Sequence, residues 1–434
     1  MRFTSTRNKK ESVGFAQAVL NCMPKDGGLY VPYETDDLRR WITFMDENTS
    51  FASIAGSLTS AFIKDEFSPI ICETIATKAF KFSPEIKQLD EKLFLLEIYH
   101  GPTGMHRDFG VSYLASCLET ILQLRGDNAI FLDVSSNGEL GASLAFALRG
   151  KKNLKAVVLS PKGLVRGMNE EDFVWNGGNI YPIEVDGSED VCHSLVKKIF
   201  SDRAFVSQRH LTVANTANIG RLLPQAFFYP FAFSRIKNKL HCNINYALAP
   251  GNYSNLVAGL YAWQFALPLN GFVIPSTPSL GVDAVGNPIL LDSIVPVNER
   301  ESADPSEPSN LERLEEVFST NELMMKHFIY PRKISKADID SAAKQLFLKY
   351  KVLADRHTAG AYAAVLSRQA SCEDDSATVL IARDDPALSA DFVRHTVGEV
   401  PETRDCVQQS LKPIKKALPS IKTLEELRAV ISRI

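Results

Sequence analysis

Leu93-Phe94-Leu95-Leu96-Glu97-Ile98 runs into His100-Gly101-Pro102-Thr103-Gly104-Met105-His106-Arg107-Asp108-Phe109-Gly110, and a helical pattern opens near Val111. A short apolar run, a turn rich in Gly and Pro, and then a helix make half of a strand–helix–strand unit. The unit recurs. Ala129-Ile130-Phe131-Leu132-Asp133-Val134 leads through Ser135-Ser136-Asn137-Gly138-Glu139-Leu140-Gly141-Ala142-Ser143 into another helical stretch. Ala156-Val157-Val158-Leu159, Ile244-Asn245-Tyr246-Ala247-Leu248-Ala249 and Gly271-Phe272-Val273-Ile274 continue it. Strands alternating with helical segments argue for parallel sheets with covered faces, so the expected fold class is α/β.

The flanks read differently. Residues 1–90 are mainly helical in pattern, for instance over 51–62 and 73–80. Pro24-Lys25-Asp26-Gly27-Gly28 breaks them with a turn before the strand-like Leu29-Tyr30-Val31-Pro32. Residues 283–309 are rich in Pro, Asn, Asp and Ser and read as a long ordered excursion, and 335–368 as helical. In the tail, Leu424, Leu427, Val430 and Ile431 fall on one face of a helix.

Composition narrows the function. The 434 residues are enough for two or three domains, with 45% hydrophobic and 23% charged residues. With 48 Lys and Arg against 51 Asp and Glu, the clustered cation excess of a nucleic-acid footprint is not expected. No apolar run approaches the roughly 20 residues of a membrane span, and nothing apolar follows the N-terminal cations. The seven cysteines lie far apart without Cys-x-x-Cys, and the eight histidines show no ligand spacing, so neither disulfides nor a metal site are expected. A cytoplasmic location fits these features.

Several strand-to-helix junctions carry polar residues suited to binding. Pro250-Gly251-Asn252-Tyr253-Ser254-Asn255 is the best phosphate cup. Gly251 permits a tight turn, and Asn252, Ser254 and Asn255 add donors beside exposed amides; an N-capped turn explains it equally well. Asn137 and Glu139 occupy the second junction, which reads equally as a capped turn. Asn215-Thr216-Ala217-Asn218-Ile219-Gly220-Arg221 offers two amides and a guanidinium able to grip phosphate or carboxylate, unless Arg221 is solvated. His357 is the one histidine in a polar cluster, although a lone histidine is more often structural.

In order, these segments resemble the threonine synthase family, part of the type II fold of pyridoxal-phosphate enzymes. Thr4-Ser5-Thr6-Arg7 and Asp26-Gly27-Gly28-Leu29-Tyr30-Val31-Pro32 are similar to its opening motifs. His100 to Phe109 resembles the cofactor-lysine segment, Asn215 to Gln225 the Asn-Ser-x-Asn-x-x-Arg-x-x-Pro-Gln segment, and Gly251 to Asn255 the phosphate cup. Lys151-Lys152-Asn153, Ser160-Pro161-Lys162-Gly163, Pro308-Ser309-Asn310-Leu311-Glu312-Arg313 and His357-Thr358-Ala359 also match. The resemblance implies a tryptophan synthase β-like architecture. Residues 1–90 form an N-terminal domain, and residues 91–434 hold two interleaved, doubly wound domains with a cleft between them. It also implies pyridoxal phosphate on a lysine and conversion of O-phospho-L-homoserine to threonine and phosphate. Gly251, Asn252, Tyr253, Ser254 and Asn255 would hold the cofactor phosphate. Asn137, Glu139, Asn215, Asn218 and Arg221 would bind substrate, and His357 would join the catalytic group.

The lysine is missing. Where the family has Gly-Pro-Thr-x-x-x-Lys-Asp-Phe, this chain has Arg107, with no gap and with no lysine between Lys92 and Lys151. A guanidinium stays protonated and cannot serve as the amine of an imine. Leu140 removes a hydroxyl from the family's Ser-Gly-Asp-Thr-Gly, Ser254 replaces the cup's second glycine, and Ala382-Arg383-Asp384-Asp385-Pro386 stands about where Thr-Ala-His-Pro is expected. The expectation is a family member without the standard chemistry that binds a small phosphorylated ligand. The alternatives are an active threonine synthase using external amine rescue or an unusual lysine, and a non-enzymatic subunit or regulator that uses the scaffold as an interaction surface. Nothing in the sequence sets the oligomeric state.

Overall fold

The strand–turn–helix units close into two sheets. The computed structural model describes residues 1–63, 65–283, 288–290, 295–318 and 322–434. In the larger sheet the neighbours run Ile329–Arg332, Gly271–Pro275, Ile244–Ala247, Ala377–Ala382, Leu93–Glu97 and Glu85–Asp90, all parallel except the last pair. The smaller sheet runs Ser420–Ile421, Ile180–Val185, Leu154–Pro161, Ala129–Val134 and Leu211–Thr212, parallel throughout. After Leu93–Glu97 the chain crosses to the smaller sheet and returns at Ile244, so the two units are interleaved. Leu93–Glu97 and Ala129–Val134 are buried at every residue, as strands covered on both faces must be.

Several expectations needed revision. The N-terminal region adds an antiparallel sheet to its helices: Phe3–Ser5 pairs with Ser12–Val13 and with Tyr30–Pro32. Glu85–Asp90 is a strand of the larger sheet, so that sheet begins inside the first ninety residues. Its polar, half-exposed pattern hides an edge strand. Ala377–Ala382, which no motif marked, is a central strand. The helical stretch at 335–368 is two helices, Lys336–Tyr350 and Arg356–Gln369. Lys351 ends the first in the left-handed region (φ 58°), and the Asp355 side chain caps the second. Of the excursion at 283–309, residues 284–287 and 291–294 lie outside the described residues. Within it, Pro288–Leu290 pairs with Leu280–Val282. The helix at Leu424–Arg433 buries Leu427 and Ile431 in a core shared with Leu195 and Ile199. None of the described helices is long and apolar enough to cross a membrane.

The helix Arg107–Arg125 joins these layers. It is buried without a break from Asp108 to Leu118. Phe109 meets Phe51 edge-on, with ring centroids 5.4 Å apart, and Phe228 at 5.0 Å, fastening the N-terminal helices to the helix that starts at the cleft.

Candidate functional site

Loops from both sheets converge on one cavity. Residues 100–107 follow Leu93–Glu97, 135–139 follow Ala129–Val134, 214–221 follow Leu211–Thr212, 250–255 follow Ile244–Ala247 and 383–386 follow Ala377–Ala382. All leave carboxyl ends of parallel strands, where open α/β sheets place ligands. The cavity holds about 350 Å³ and narrows into an extension beneath the 250–255 turn.

The Asp108 carboxylate shapes the first loop. It accepts from the Thr103 backbone N–H at 2.8 Å, from Thr103 Oγ1 at 2.7 Å and from Ser143 Oγ at 2.8 Å. Burial pushes its pKa up to about 6 against these hydrogen bonds. With the turn folded back on Asp108, the helix starts at Arg107, four positions before the apolar pattern near Val111. Arg107 lines the cavity, and its Nη1 stands 3.1 Å from Glu139 Oε2, both side chains about a third exposed (32% and 30%). Asn137 also lines the cavity and donates from Nδ2 to Glu139 Oε1 at 2.9 Å.

The third loop carries the most unusual side chain. Arg221 is 4% exposed and lines the cavity, and its Nε and Nη1 are buried without a hydrogen-bond partner among the described residues. Its guanidinium lies against Gly110, where a Cβ would come within 2.1 Å of Nη1, so only glycine fits there. Burial pulls its pKa down to about 9; nearby Arg107 adds to this, and Asp108 and Asp133 oppose it. Asn215 lines the cavity too, donating to Asp133 Oδ1 at 3.2 Å and Pro305 O at 2.7 Å. Burial pushes Asp133 up to about 7. Asn218 is used elsewhere. Its Oδ1 caps the short helix Ile219–Leu222, and its amide holds Val19 O at 2.8 Å and Thr212 Oγ1 at 3.0 Å, away from the cavity.

The 250–255 turn has the form expected of a cup. Gly251 (φ 50°) and Tyr253 (φ 65°) are both left-handed, and the helix Ser254–Gln264 starts there. Asn252 and Ser254 reach both the main cavity and its extension, while Gly251 and Asn255 reach only the extension. The Tyr253 ring points away, its hydroxyl meeting Thr277 Oγ1. Asn252 donates to Thr216 Oγ1 at 2.9 Å and Pro308 O at 3.1 Å. Buried Arg313 gathers the scaffold motifs. It donates to Tyr30 O at 2.9 Å, Ala217 O at 3.1 Å and Asn310 Oδ1 at 2.6 Å.

His357 is not among the residues lining the cavity; it is exposed in the first turn of Arg356–Gln369, near enough to Arg383, Asp384 and Glu139 to feel their charges. Among the wall residues given no role by the sequence reading are His106, Arg383, His193, Glu189 and Glu307. His106 was one unremarked position inside the lysine motif. Arg383 stood in a segment noted only for not matching. Three arginines (107, 221 and 383) thus share the cavity with Glu189 and Glu307.

Residues 68–384 match the family model for pyridoxal-phosphate dependent enzymes, and residues 2–80 match the threonine synthase N terminus. Threonine synthase of Escherichia coli (strain K12) is 30% identical over 375 residues, 84% of each chain. The chain belongs to the threonine synthase family. The crystal structure of PLP-bound threonine synthase from Brucella melitensis shares its fold, with a TM-score of 0.82 at 21% identity over 100% of this chain and 99% of that one. The Escherichia coli threonine synthase structure gives 0.79 at 25% identity over 100% of both. The fold is the type II fold of pyridoxal-phosphate enzymes, and pyridoxal phosphate is the cofactor of this family.

In this family member the residues fit only one end of that cofactor. The cup at 250–255 suits a phosphate. The covalent end does not fit: among the described residues no lysine lines the cavity or its extension, and Arg107 of the lysine-like motif stands there instead. A protonated guanidinium paired with Glu139 is no amine for an imine.

Proposed function

We propose that this threonine synthase homologue binds a small phosphorylated anion in the cleft and does not carry out lysine-dependent threonine synthesis. The Arg107–Glu139 ion pair carries the reading, because a paired guanidinium in the lysine-like motif is no substitute for a free amine. Arg221 supports the binding half. A buried guanidinium with two unpartnered nitrogens is costly until an oxyanion meets it. Asn137, Asn215, Asn252 and Ser254 line the same space as neutral polar groups, with both amide protons of Asn215 and of Asn252 already given to protein acceptors.

The test is direct. Purified protein mixed with pyridoxal phosphate is expected to show no protein-bound visible band that borohydride fixes, and no threonine from O-phospho-L-homoserine. Inorganic phosphate is expected to raise the melting midpoint, since a ligand bound only by the folded state stabilises it. Threonine formation at ordinary enzymatic rates would overturn the first half. A midpoint unmoved by millimolar phosphate would overturn the second.

A further inference from the structure

The His106 side chain is held in one orientation. Its Nδ1 stands 2.8 Å from Asp384 Oδ1, and Asp384 Oδ2 stands 3.0 Å from Arg383 Nε. The His106 backbone N–H donates to Arg383 O at 3.1 Å. Two loops, one from each side of the Leu93–Glu97 and Ala377–Ala382 strand pair, thus clamp a single imidazole. With Nδ1 given to the carboxylate, Nε2 is the free ring nitrogen. Among the described residues it has no hydrogen bond to protein.

Its place is as telling as its orientation. His106, Asn252, Ser254 and Arg383 are the residues common to the main cavity and the extension under the cup. A phosphate ester lying between the cup and Arg221 passes this junction. Burial holds the imidazole neutral, its pKa down at about 3 despite the Asp384 charge. The Nε2 lone pair is therefore available at neutral pH.

We propose that His106 is a nucleophile that takes the phosphoryl group of a small phosphate monoester through Nε2, with Asp384 positioning the ring. This rests on the reading of the cleft as a phosphate-ester site. In the first step the Nε2–P bond forms and the P–O ester bond breaks. The departing alkoxide keeps the bonding electron pair and takes a proton from water. In the second, a water oxygen bonds phosphorus and the N–P bond breaks, its electrons returning to Nε2. One water proton stays on phosphate and the other goes to solvent. The net change is ester plus water to alcohol plus phosphate, with no oxidant or metal consumed. Phosphoryl transfer passes through a loose transition state, which asks little basicity of the nucleophile and much of the surrounding cations. Arg107, Arg221 and Arg383 supply those cations from the same wall.

The experiment incubates full-length protein with O-phospho-L-homoserine, a phosphate monoester, as the donor, quenches it in alkali and maps modified peptides by mass spectrometry. The expected result is one acid-labile phosphoryl group on His106, absent from urea-denatured protein. His106→Asn keeps an amide donor for Asp384 but lacks Nε2, so it folds with an ordinary ligand-free midpoint and loses the label. Asp384→Asn slows labelling by at least about tenfold, as removal of an orienting carboxylate does elsewhere. Absence of label while phosphate still raises the midpoint would overturn this inference and leave the binding proposal standing. Absence of both would end both. Label on another residue, label persisting in His106→Asn, or equal label on denatured protein would also overturn it.

Discussion

Arg107 and Glu139 form an ion pair across the cleft, Nη1 to Oε2 at 3.1 Å, linking the loops that follow a strand of each sheet. The pair joins two segments, 100–110 and 135–143, in which the chain differs from the motifs it resembles. A charge that cannot form an imine is neutralised by an acid long enough to reach it.

Arg107→Lys therefore puts an amine in the cofactor position without rebuilding the site. Pyridoxal phosphate added to this variant is expected to give a visible band that borohydride fixes. Threonine formation stays negligible, because Leu140 and the 382–386 segment remain unlike the family. Full turnover from this one change would show that Arg107 alone disables the chemistry.

Glu139→Gln frees the guanidinium for a ligand. The pair is about a third exposed, so its worth is small, between about 0.2 and 1 kcal/mol. Phosphate affinity, titrated by thermal shift at low salt, is expected to rise by between about 1.5- and 5-fold, and the gain should shrink as salt is added. Weaker binding in this variant would mean that Glu139 itself holds the ligand.

Arg221→Met separates binding from stability. Removing a buried charge with two unbonded nitrogens leaves the ligand-free midpoint unchanged or higher. The midpoint rise on adding phosphate is lost. A variant that melts lower yet keeps the phosphate response would assign Arg221 a purely structural role.

Two buried groups give opposite pH slopes. Asp133 rises to about 7 in the fold from an ordinary 3.8, so between these values the folded state holds a proton that the unfolded chain has released. Its contribution to stability falls as pH rises through that window. His106 drops to about 3 from 6.5, so the unfolded chain takes up a proton first, and stability falls as pH drops below 6.5. Urea midpoints against pH should lose the first slope in Asp133→Asn and the second in His106→Asn. Unchanged slopes would refute the assignments.

Arg313→Met tests the scaffold. It strips donors from the buried carbonyls of Tyr30 and Ala217, which lie on segments otherwise far apart. A loss of about 3 kcal/mol or more in urea unfolding is expected, since buried acceptors left without donors each cost about 1–3 kcal/mol. A loss below about 1 kcal/mol would mean that water replaces the guanidinium.

The apolar strands at 93–98 and 129–134 were legible because burial on both faces leaves no other residue types. The edge strand Glu85–Asp90 was not, since none of its residues is buried and its composition is that of a loop. Arg107, Arg221 and the 250–255 turn were readable from the family resemblance, and all reach the cavity or its extension. Asn218 looked identical in kind to Asn215, yet one amide caps a helix and the other faces the cavity. A side-chain type states what bonds an atom makes, and only packing states with whom.

By itself the sequence determined the α/β class, the family motifs and the absence of an amine at position 107, because these depend on residue type and order along the chain. Tertiary structure alone decided that Glu139 answers Arg107, that Arg221 is buried with Nε and Nη1 unbonded among the described residues, and that His106 is clamped by Asp384 at the mouth of the cup. His106 and Asp384 stand 278 positions apart. Only the parallel pairing of Leu93–Glu97 with Ala377–Ala382 brings their loops together, and no local pattern encodes a contact that two distant strand ends create.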